Sequence, residues 1–306
     1  MSAFRKLQSQ QTSISMDTST KYGMPSKLPA QECWEKKPES ADLFLDSLCQ
    51  NFFKKPTDIY CRQNSIPISQ PRLLTVLRQL YQPTEHDALI AVNIPGGATV
   101  KIPERQGAHH LQSGVGTTSN LTPAFSYVPP HIDRGDNILA LLVPVEKQTT
   151  LKVWALFPPT EHNLQVDKKS YDGRDLLVHP FPSESGYEQG ILIFQTEDEA
   201  ICIPPGWIHA TFTVYGCINT GVQYVTRASL EFTAQILRME ALCLQNPSPE
   251  PFFRAVELNL ALGEEKEVVK ELCQTLGSVR SQSTLPEKVA ELECTCKRSW
   301  RSHLRR

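Results

Sequence analysis

The sequence predicts a mainly β protein, with a jelly-roll or related double-stranded barrel as its core and α-helices on both flanks. Between residues 88 and 227, short apolar or alternating runs follow one another, and Pro, Gly and Asn separate them. Many short strands joined by turns are typical of jelly-rolls. The runs cover residues 88–94, 99–102, 138–143, 151–157, 190–194, 200–203, 211–214 and 217–225.

The region before this core has a different composition. Residues 1–39 are rich in Ser, Thr, Gln, Lys and Pro and contain few apolar positions, which predicts a disordered N-terminal segment. Residues 40–87 form a helical flank, because apolar residues recur there at helical spacing. Its predicted helices are residues 41–54, capped by Ser40, and residues 70–81.

Helical patterns return between residues 228 and 296. The first of these helices is apolar on two faces, so we expect it to be buried against the barrel or against a second subunit, which would give a homodimer. Residues 297–306 form a basic tail, and solvated terminal charge is a simpler interpretation of it than a nuclear-localisation or nucleic-acid contact. Within the core, the polar stretch 158–185 is long for a loop, which predicts a function or local structure of its own.

Length, charge and cysteine content exclude several classes of protein. The 306 residues suffice for a sizeable core, and a net charge of −2 gives no global reason to expect nucleic-acid or membrane binding. No apolar run approaches the roughly 20 residues that span a bilayer, and the polar N-terminus does not resemble a signal peptide. We therefore expect an intracellular protein, in the cytoplasm or nucleus. Its nine cysteines do not resemble a disulfide framework, and Cys294 with Cys296 is too small a set for structural zinc.

Three residues are candidate metal ligands. His131 and Asp133 are two positions apart, and on an extended strand such residues project to one face. His209 ends a later segment that follows a Pro-Pro-Gly-Trp turn. If His209 reaches the same point from another strand, the three form a 2-His-1-carboxylate triad, which binds Fe(II) and leaves coordination positions open. The alternative is two buried core histidines and an exposed aspartate, because a His-x-acid pair also arises by chance.

Around these residues the chain resembles the JmjC (jumonji C) family of Fe(II)- and 2-oxoglutarate-dependent oxygenases. Three motifs carry the resemblance, in the family's order: His131-Ile-Asp133, then Lys152 to Pro159 (KVWALFPP), then Ile203 to His209 (IPPGWIH). The match covers about residues 88–227 and says little about either flank. It implies a cupin-like double-stranded β-helix in which His131, Asp133 and His209 hold Fe(II), with no catalytic residue beyond the metal centre.

The resemblance also implies a 2-oxoglutarate site. Lys152 would pair with the distal carboxylate of this co-substrate, a charge-assisted contact, whereas the alternative is an ordinary outward-facing lysine. Tyr127 is the first choice for a hydroxyl that assists Lys152, with Ser126 and Thr122 as alternatives. Gln223 stands where the family often has an Asn that lines the cofactor pocket. Trp154 and Trp207 are better explained as packing residues than as substrate contacts.

The implied reaction is hydroxylation of a C–H bond, or removal of an N-methyl group. Since the chain carries no recognisable chromatin-reader module or zinc finger, we expect a compact hydroxylase acting on a protein side chain, while small-molecule and RNA substrates stay open. One alternative is a non-catalytic JmjC-like scaffold that assembles through the fold and the C-terminal helices. Another is a cupin-type metalloprotein that does not use 2-oxoglutarate, in which Lys152 would point away from the metal.

Overall fold

The structure is a computed structural model that describes part of the chain. The described residues are 22–55, 59–61, 73–84, 88–96, 98–104, 110–112, 116–133, 137–145, 149–172, 186–226 and 294. The predicted helices and dimer contact of residues 228–296 lie outside them, apart from the single residue Cys294, and so does the basic tail. No helix in the described ranges is long and apolar enough to cross a bilayer.

The described part is mainly β, and its strands pair antiparallel throughout. Every run that the sequence predicts as a strand is one, so these eight predictions are confirmed. The strands are β1 (Ser26–Pro29), β2 (Trp34–Lys36), β3 (Ile59–Cys61), β4 (Leu89–Pro95), β5 (Thr99–Val100), β6 (His110–Gln112), β7 (Thr118–Thr122), β8 (Tyr127–His131), β9 (Asn137–Pro144), β10 (Leu151–Phe157), β11 (Ile191–Gln195), β12 (Glu199–Ile203), β13 (Ile208–Tyr215) and β14 (Cys217–Thr226). The helices are α1 (Ala30–Cys33), α2 (Ala41–Lys54), α3 (Leu73–Tyr81) and α4 (Glu161–Asp172).

Two sheets make up most of the described fold. The larger has the order β1-β12-β9-β14-β7-β4-β3, with β6 beside β14, and the smaller has the order β11-β10-β13-β8. Their facing sides share one buried cluster, in which side chains of β9 and β12 pack against side chains of β10 and β11. Two antiparallel sheets packed face to face in this way are consistent with a β-sandwich or a jelly-roll. A short third sheet pairs β2 with β5.

The prediction of disorder for residues 1–39 is wrong for residues 22–39. Strand β1 pairs with β12 over four residues, from Ser26 opposite Cys202 to Pro29 opposite Glu199. Leu28 and Cys33 are buried beside the larger sheet. Because β1 adds to the edge of an existing sheet, backbone hydrogen bonds and a few apolar side chains suffice to order it, although its own composition is polar.

The predicted N-terminal helices are present. Helix α2 has the predicted bounds, and the Ser40 hydroxyl caps it by accepting a hydrogen bond from the Leu43 backbone N–H at 3.2 Å. Helix α3 begins at Leu73 in the structure, since residues 70–72 lie outside the described ranges. Both helices pack on the face of the larger sheet that points away from the smaller one. The buried residues of this contact include Phe44, Leu48, Phe52, Leu73, Val76, Leu80, Ala91, Leu121 and Ile218.

Helix α4 lies within the polar stretch 158–185. Asn163 fixes its first turn, because its amide nitrogen donates to the carbonyls of Pro158 and Glu188, and its amide oxygen accepts from the Glu188 backbone N–H. The expectation of local structure in this stretch is therefore confirmed as far as Asp172. The helix is held by polar contacts, which explains why its sequence lacks an apolar stripe.

Candidate metal centre and the pocket behind it

The structure brings the three candidate ligands together at one end of the smaller sheet. His131, the last residue of β8, stands directly opposite His209 of β13, and their ring centroids are 4.1 Å apart. Asp133 lies just past the end of β8, not on the strand itself. Its carboxylate oxygens are 3.9 Å from His131 Nε2 and 3.8 Å from His209 Nε2. The three ligand atoms all lie within 4.8 Å of one another, so this group could hold a metal ion.

Two proline-containing turns place the histidines. Gly206, three residues before His209, has a φ of 76°. A positive φ is typical of the third residue of a β-turn with proline at its second position, and glycine is favoured there. Before His131, the pairing of β8 with β13 shifts by one residue, at the point where Pro129 and Pro130 cannot donate to the ladder. This irregularity determines which side of the sheet each β8 side chain faces.

Both imidazoles present the same nitrogen to the candidate metal position. His131 Nδ1 is 2.9 Å from the Pro129 carbonyl and His209 Nδ1 is 3.1 Å from the Trp207 carbonyl. A carbonyl only accepts hydrogen bonds, so each Nδ1 carries a proton and each Nε2 is the nitrogen that faces the candidate metal position. Metal-binding histidines are commonly oriented by such a bond at the second ring nitrogen. Burial, and next the proximity of His131, lowers the pKa of His209 to about 4, which keeps this imidazole neutral at physiological pH.

The donor set fits a divalent first-row metal. Two imidazole nitrogens and one carboxylate oxygen on adjacent positions are the ligands of non-haem Fe(II) sites. Metal–ligand distances of about 2.0–2.2 Å put neighbouring ligand atoms roughly 3 Å apart in an octahedral site. His131, Asp133 and His209 would therefore close by about 1 Å on binding. The His131 and Asp133 side chains are 33 % and 31 % exposed, so the site is open on one side.

Behind this centre, a row of polar side chains crosses the inner face of the smaller sheet. Lys152 on β10 is flanked by Thr213 of β13 and Gln195 of β11. Ser126 continues the row, because its backbone carbonyl accepts from the Thr213 N–H at 2.9 Å. All four residues are at most 1 % exposed. We call these four residues the polar row.

Lys152 has no hydrogen bond or ion pair with any described residue. Its Nζ lies 5.6 Å from the centre of the Trp154 ring. Burial lowers the pKa of Lys152, and the nearby Cys217 thiol opposes this effect in part. A buried cation without an ion pair is costly, which makes Lys152 a candidate to bind an anion. The Ser126 hydroxyl, on the far side of Thr213 in the polar row, also has no hydrogen-bond partner among the described residues.

The facing strand β14 adds polar groups from the larger sheet. Gln223 pairs with Ile138, whose side chain lies in the cluster between the sheets, so Gln223 faces the interior near the metal end. Asn219, two pairs further along the same face, has a buried side-chain oxygen without a hydrogen-bond partner in the described structure. The sequence analysis missed Asn219. The alternation of apolar residues along β14 is the signal that could have identified it.

Tyr127 is not brought together with Lys152. It packs on the outer face of the smaller sheet, in a cluster with Val153, Ala155 and Phe157. The register shift between Tyr127 and His131 puts their side chains on opposite faces, although four positions along a regular strand would share a face. Thr122 donates its hydroxyl proton to the Cys217 carbonyl at 2.9 Å. Of the three hydroxyls named from the sequence, Ser126 is the one in the polar row.

Other buried groups support the site. Trp154 and Trp207 pack in the cluster between the sheets, as expected for packing residues. Gln195 accepts from Trp154 Nε1 at 2.8 Å and donates to the Ala140 carbonyl at 2.9 Å, so it joins the two sheets. Asp167 on α4, which the sequence did not single out, accepts from the Tyr187 hydroxyl at 3.1 Å, and burial raises its pKa to about 6.

No family model matches the sequence of this chain, and no curated protein matches it. The functional argument therefore depends on the residues of the site.

Proposed function

We propose that this protein is an Fe(II)- and 2-oxoglutarate-dependent oxygenase of the JmjC type. The observation that carries this proposal is that Lys152 is buried without a hydrogen bond or ion pair to any described residue, on the same inner face as the His131–Asp133–His209 group. Lys152 pairs with Thr213, and His209 is four residues from Thr213 on the same strand. This places Lys152 about 13 Å from His209 along the sheet, with both side chains pointing into the interior. A five-carbon diacid bound to the metal at one end would reach the Lys152 ammonium with the other.

The order of the strands supports a double-stranded β-helix for the core. From β7 to β14 the chain passes between the larger and the smaller sheet at every step except between β10 and β11. Each crossing adds a strand to the opposite sheet, so the paired strands wind around one interior. Cupin-type jelly-rolls are built in this way, and they place ligands inside the barrel.

Each residue of the site has a part in the proposed reaction. His131, Asp133 and His209 would hold Fe(II), and Lys152 with Ser126 would orient the distal carboxylate of 2-oxoglutarate. When bound, Fe(II) and 2-oxoglutarate would supply the oxidising chemistry together with dioxygen: one oxygen atom would convert a substrate C–H bond into C–OH, and the other would enter succinate as 2-oxoglutarate loses carbon dioxide. The apolar cluster around Trp154 and Trp207 keeps water from the interior. Hydroxylation of an N-methyl carbon would end in demethylation.

The substrate enters from the exposed side of the metal centre. We propose a protein side chain as the substrate class, since the His131 and Asp133 side chains remain about one-third exposed and the polar row is closed to solvent. A protein substrate would thus reach only the metal end of the site, while the small co-substrate would occupy the buried end.

Anaerobic titration tests the function directly. Protein with Fe(II) and 2-oxoglutarate should develop a weak visible charge-transfer band that neither component gives alone. In air, with substrate or by slow uncoupled turnover, succinate should form. Metal binding without the band or succinate would favour the cupin-type metalloprotein. Absence of metal binding as well would favour the non-catalytic scaffold.

The assignment of the assisting hydroxyl has its own test. Ser126→Ala should raise the KM for 2-oxoglutarate by roughly 10- to 150-fold, because it removes one hydrogen bond to a charged group, worth about 1.5–3 kcal/mol. Tyr127→Phe is the matched control and should leave this KM unchanged, since Tyr127 packs on the outer face. Steady-state kinetics with varied 2-oxoglutarate measures both. A larger effect for Tyr127→Phe than for Ser126→Ala would reverse the assignment.

A further inference from the structure

We propose that residues 22–29 are a positioning part of the metal centre, which they reach through Trp207. The Trp207 indole Nε1 donates a hydrogen bond to the Tyr22 carbonyl at 3.3 Å. The Trp207 carbonyl in turn accepts the bond from His209 Nδ1 at 3.1 Å. One residue thus joins the N-terminal segment to a candidate metal ligand. We call these two bonds the Trp207 link.

The rest of the segment is fixed next to the same turn. β1 pairs along β12, and β12 leads directly into the turn that carries Trp207 and His209. Lys27 Nζ lies 2.9 Å from both carboxylate oxygens of Glu199, and the Ala30 N–H donates to the Asp198 carbonyl at 2.8 Å. Gly23, with a φ of 66°, bends the chain beside Pro204. These contacts hold the Tyr22 carbonyl in front of the indole.

The physical reason for a positioning role lies in the burial of Trp207. Its side chain is 1 % exposed, so the indole N–H depends on a protein acceptor. Without the Tyr22 carbonyl, the ring would have to rotate or admit water, and the backbone at Trp207 would move with it. The Trp207 carbonyl sets the orientation of the His209 ring. Hydrogen-bond partners of metal-binding histidines affect metal affinity in this way. Residues 22–29 should therefore affect metal affinity although they supply no metal ligand.

Two truncations of the full chain test this inference, which depends on metal binding under the proposed function. Removing residues 1–24 deletes Tyr22 and keeps β1, whereas removing residues 1–20 keeps Tyr22 and serves as the matched control. The longer deletion should weaken Co(II) affinity by roughly tenfold, which is the lower end of the effect expected when a group that orients a metal ligand is lost. It should also shift the visible Co(II) absorption bands, which report ligand geometry. The shorter deletion should change neither.

A side-chain variant gives an independent reading. Trp207→Phe removes the indole N–H and keeps an aromatic ring, and should weaken Co(II) binding to the same extent. Ile193→Ala is the matched control, because it loosens the same buried cluster from β11, a strand that is not adjacent to the β13 strand of His209. Combining Trp207→Phe with the 1–24 deletion should give no further loss, since both changes break the Trp207 link.

The outcomes separate the two proposals. If the unaltered protein binds no Co(II), the metal centre itself is refuted. If it binds Co(II) and the 1–24 deletion binds as tightly as the 1–20 deletion, with the same spectrum, the positioning role is refuted while the metal centre stands. Equal losses for Ile193→Ala and Trp207→Phe would also overturn it, because general loosening of the cluster would explain both. Additive losses in the combined variant would show two separate effects instead of one link.

Discussion

Replacing Lys152 with methionine is expected to eliminate 2-oxoglutarate-dependent turnover while leaving metal binding intact. Loss of one partner from a buried charged pair costs about 2–5 kcal/mol, which corresponds to a rise in the KM for 2-oxoglutarate of at least roughly 30-fold. Steady-state kinetics and calorimetric Co(II) titration measure the two effects separately. Lys37→Met is a suitable control, since Lys37 is exposed.

The same substitution should have the opposite effect on stability. Lys152 is 1 % exposed and unpaired in the described structure, and replacing buried charge with an apolar side chain often stabilises a protein by about 1–4 kcal/mol. The unfolded chain binds a proton at Lys152 more tightly than the folded chain does, because burial lowers the folded pKa below 10.5. Wild-type stability should therefore rise as the pH rises from the lowered pKa toward 10.5, and Lys152→Met should lose this rise.

Urea unfolding of the two apo proteins at several pH values checks this prediction. A purely structural lysine would give lower stability in the variant, together with unchanged KM. Greater stability combined with lost co-substrate binding would identify Lys152 as a residue kept for function at a cost to the fold.

Replacing Asp133 with alanine is expected to remove the metal. Asp133 is the one carboxylate of the candidate centre and approaches both histidines to within 4 Å. Loss of a residue that only hydrogen-bonds to a metal ligand weakens metal binding by roughly 10- to 100-fold. Loss of Asp133, a direct ligand, should weaken Fe(II) and Co(II) binding by more than this. The charge-transfer band with 2-oxoglutarate should disappear with the metal.

Asp198→Ala is the control for this change, because Asp198 is an exposed aspartate in the turn between β11 and β12. Calorimetric titration of both variants with Co(II) gives the comparison. If Asp133→Ala binds metal as tightly as the unaltered protein, the ion does not use this carboxylate, and a 2-His-1-carboxylate centre is excluded.

Eight strands could be predicted because their own side chains decide their burial, whereas β7 and β8, the strand that ends in His131, were not among the predicted runs. Runs such as 138–143 and 151–157 are apolar enough to be buried in a sheet regardless of the neighbouring sequence. β1 could not be predicted from its composition, since it is ordered by pairing with β12, more than 170 positions away. Helix α4 was missed as a helix for a related reason. The residues that fix it, such as Asn163 and Asp167, are polar and make specific contacts.

The candidate site was predictable to the extent that it depends on motif spacing. His131, Asp133 and His209 came from local motifs, and the structure brings them together. The structure places Tyr127 on the outer face, away from Lys152, because of a one-residue shift in β8 that is not visible in the sequence. Ser126 and Asn219 could be recognised as candidate site residues only from the structure. Strand pairing shows that Asn219 faces the interior, and both side chains have a buried oxygen without a hydrogen-bond partner among the described residues.

That shift in β8 has a consequence for how such a site can arise or disappear. On a regular strand, the requirement to bury Tyr127 on one side would dictate the direction of every later residue, including His131. The extra residue at Pro129 and Pro130 separates the two requirements, so the outer core and the metal ligands can each change without disturbing the other. Insertion or loss of a single residue at this point would turn His131 away from His209. A change of one residue in the length of β8 would thus remove the candidate metal centre and leave the two sheets in place.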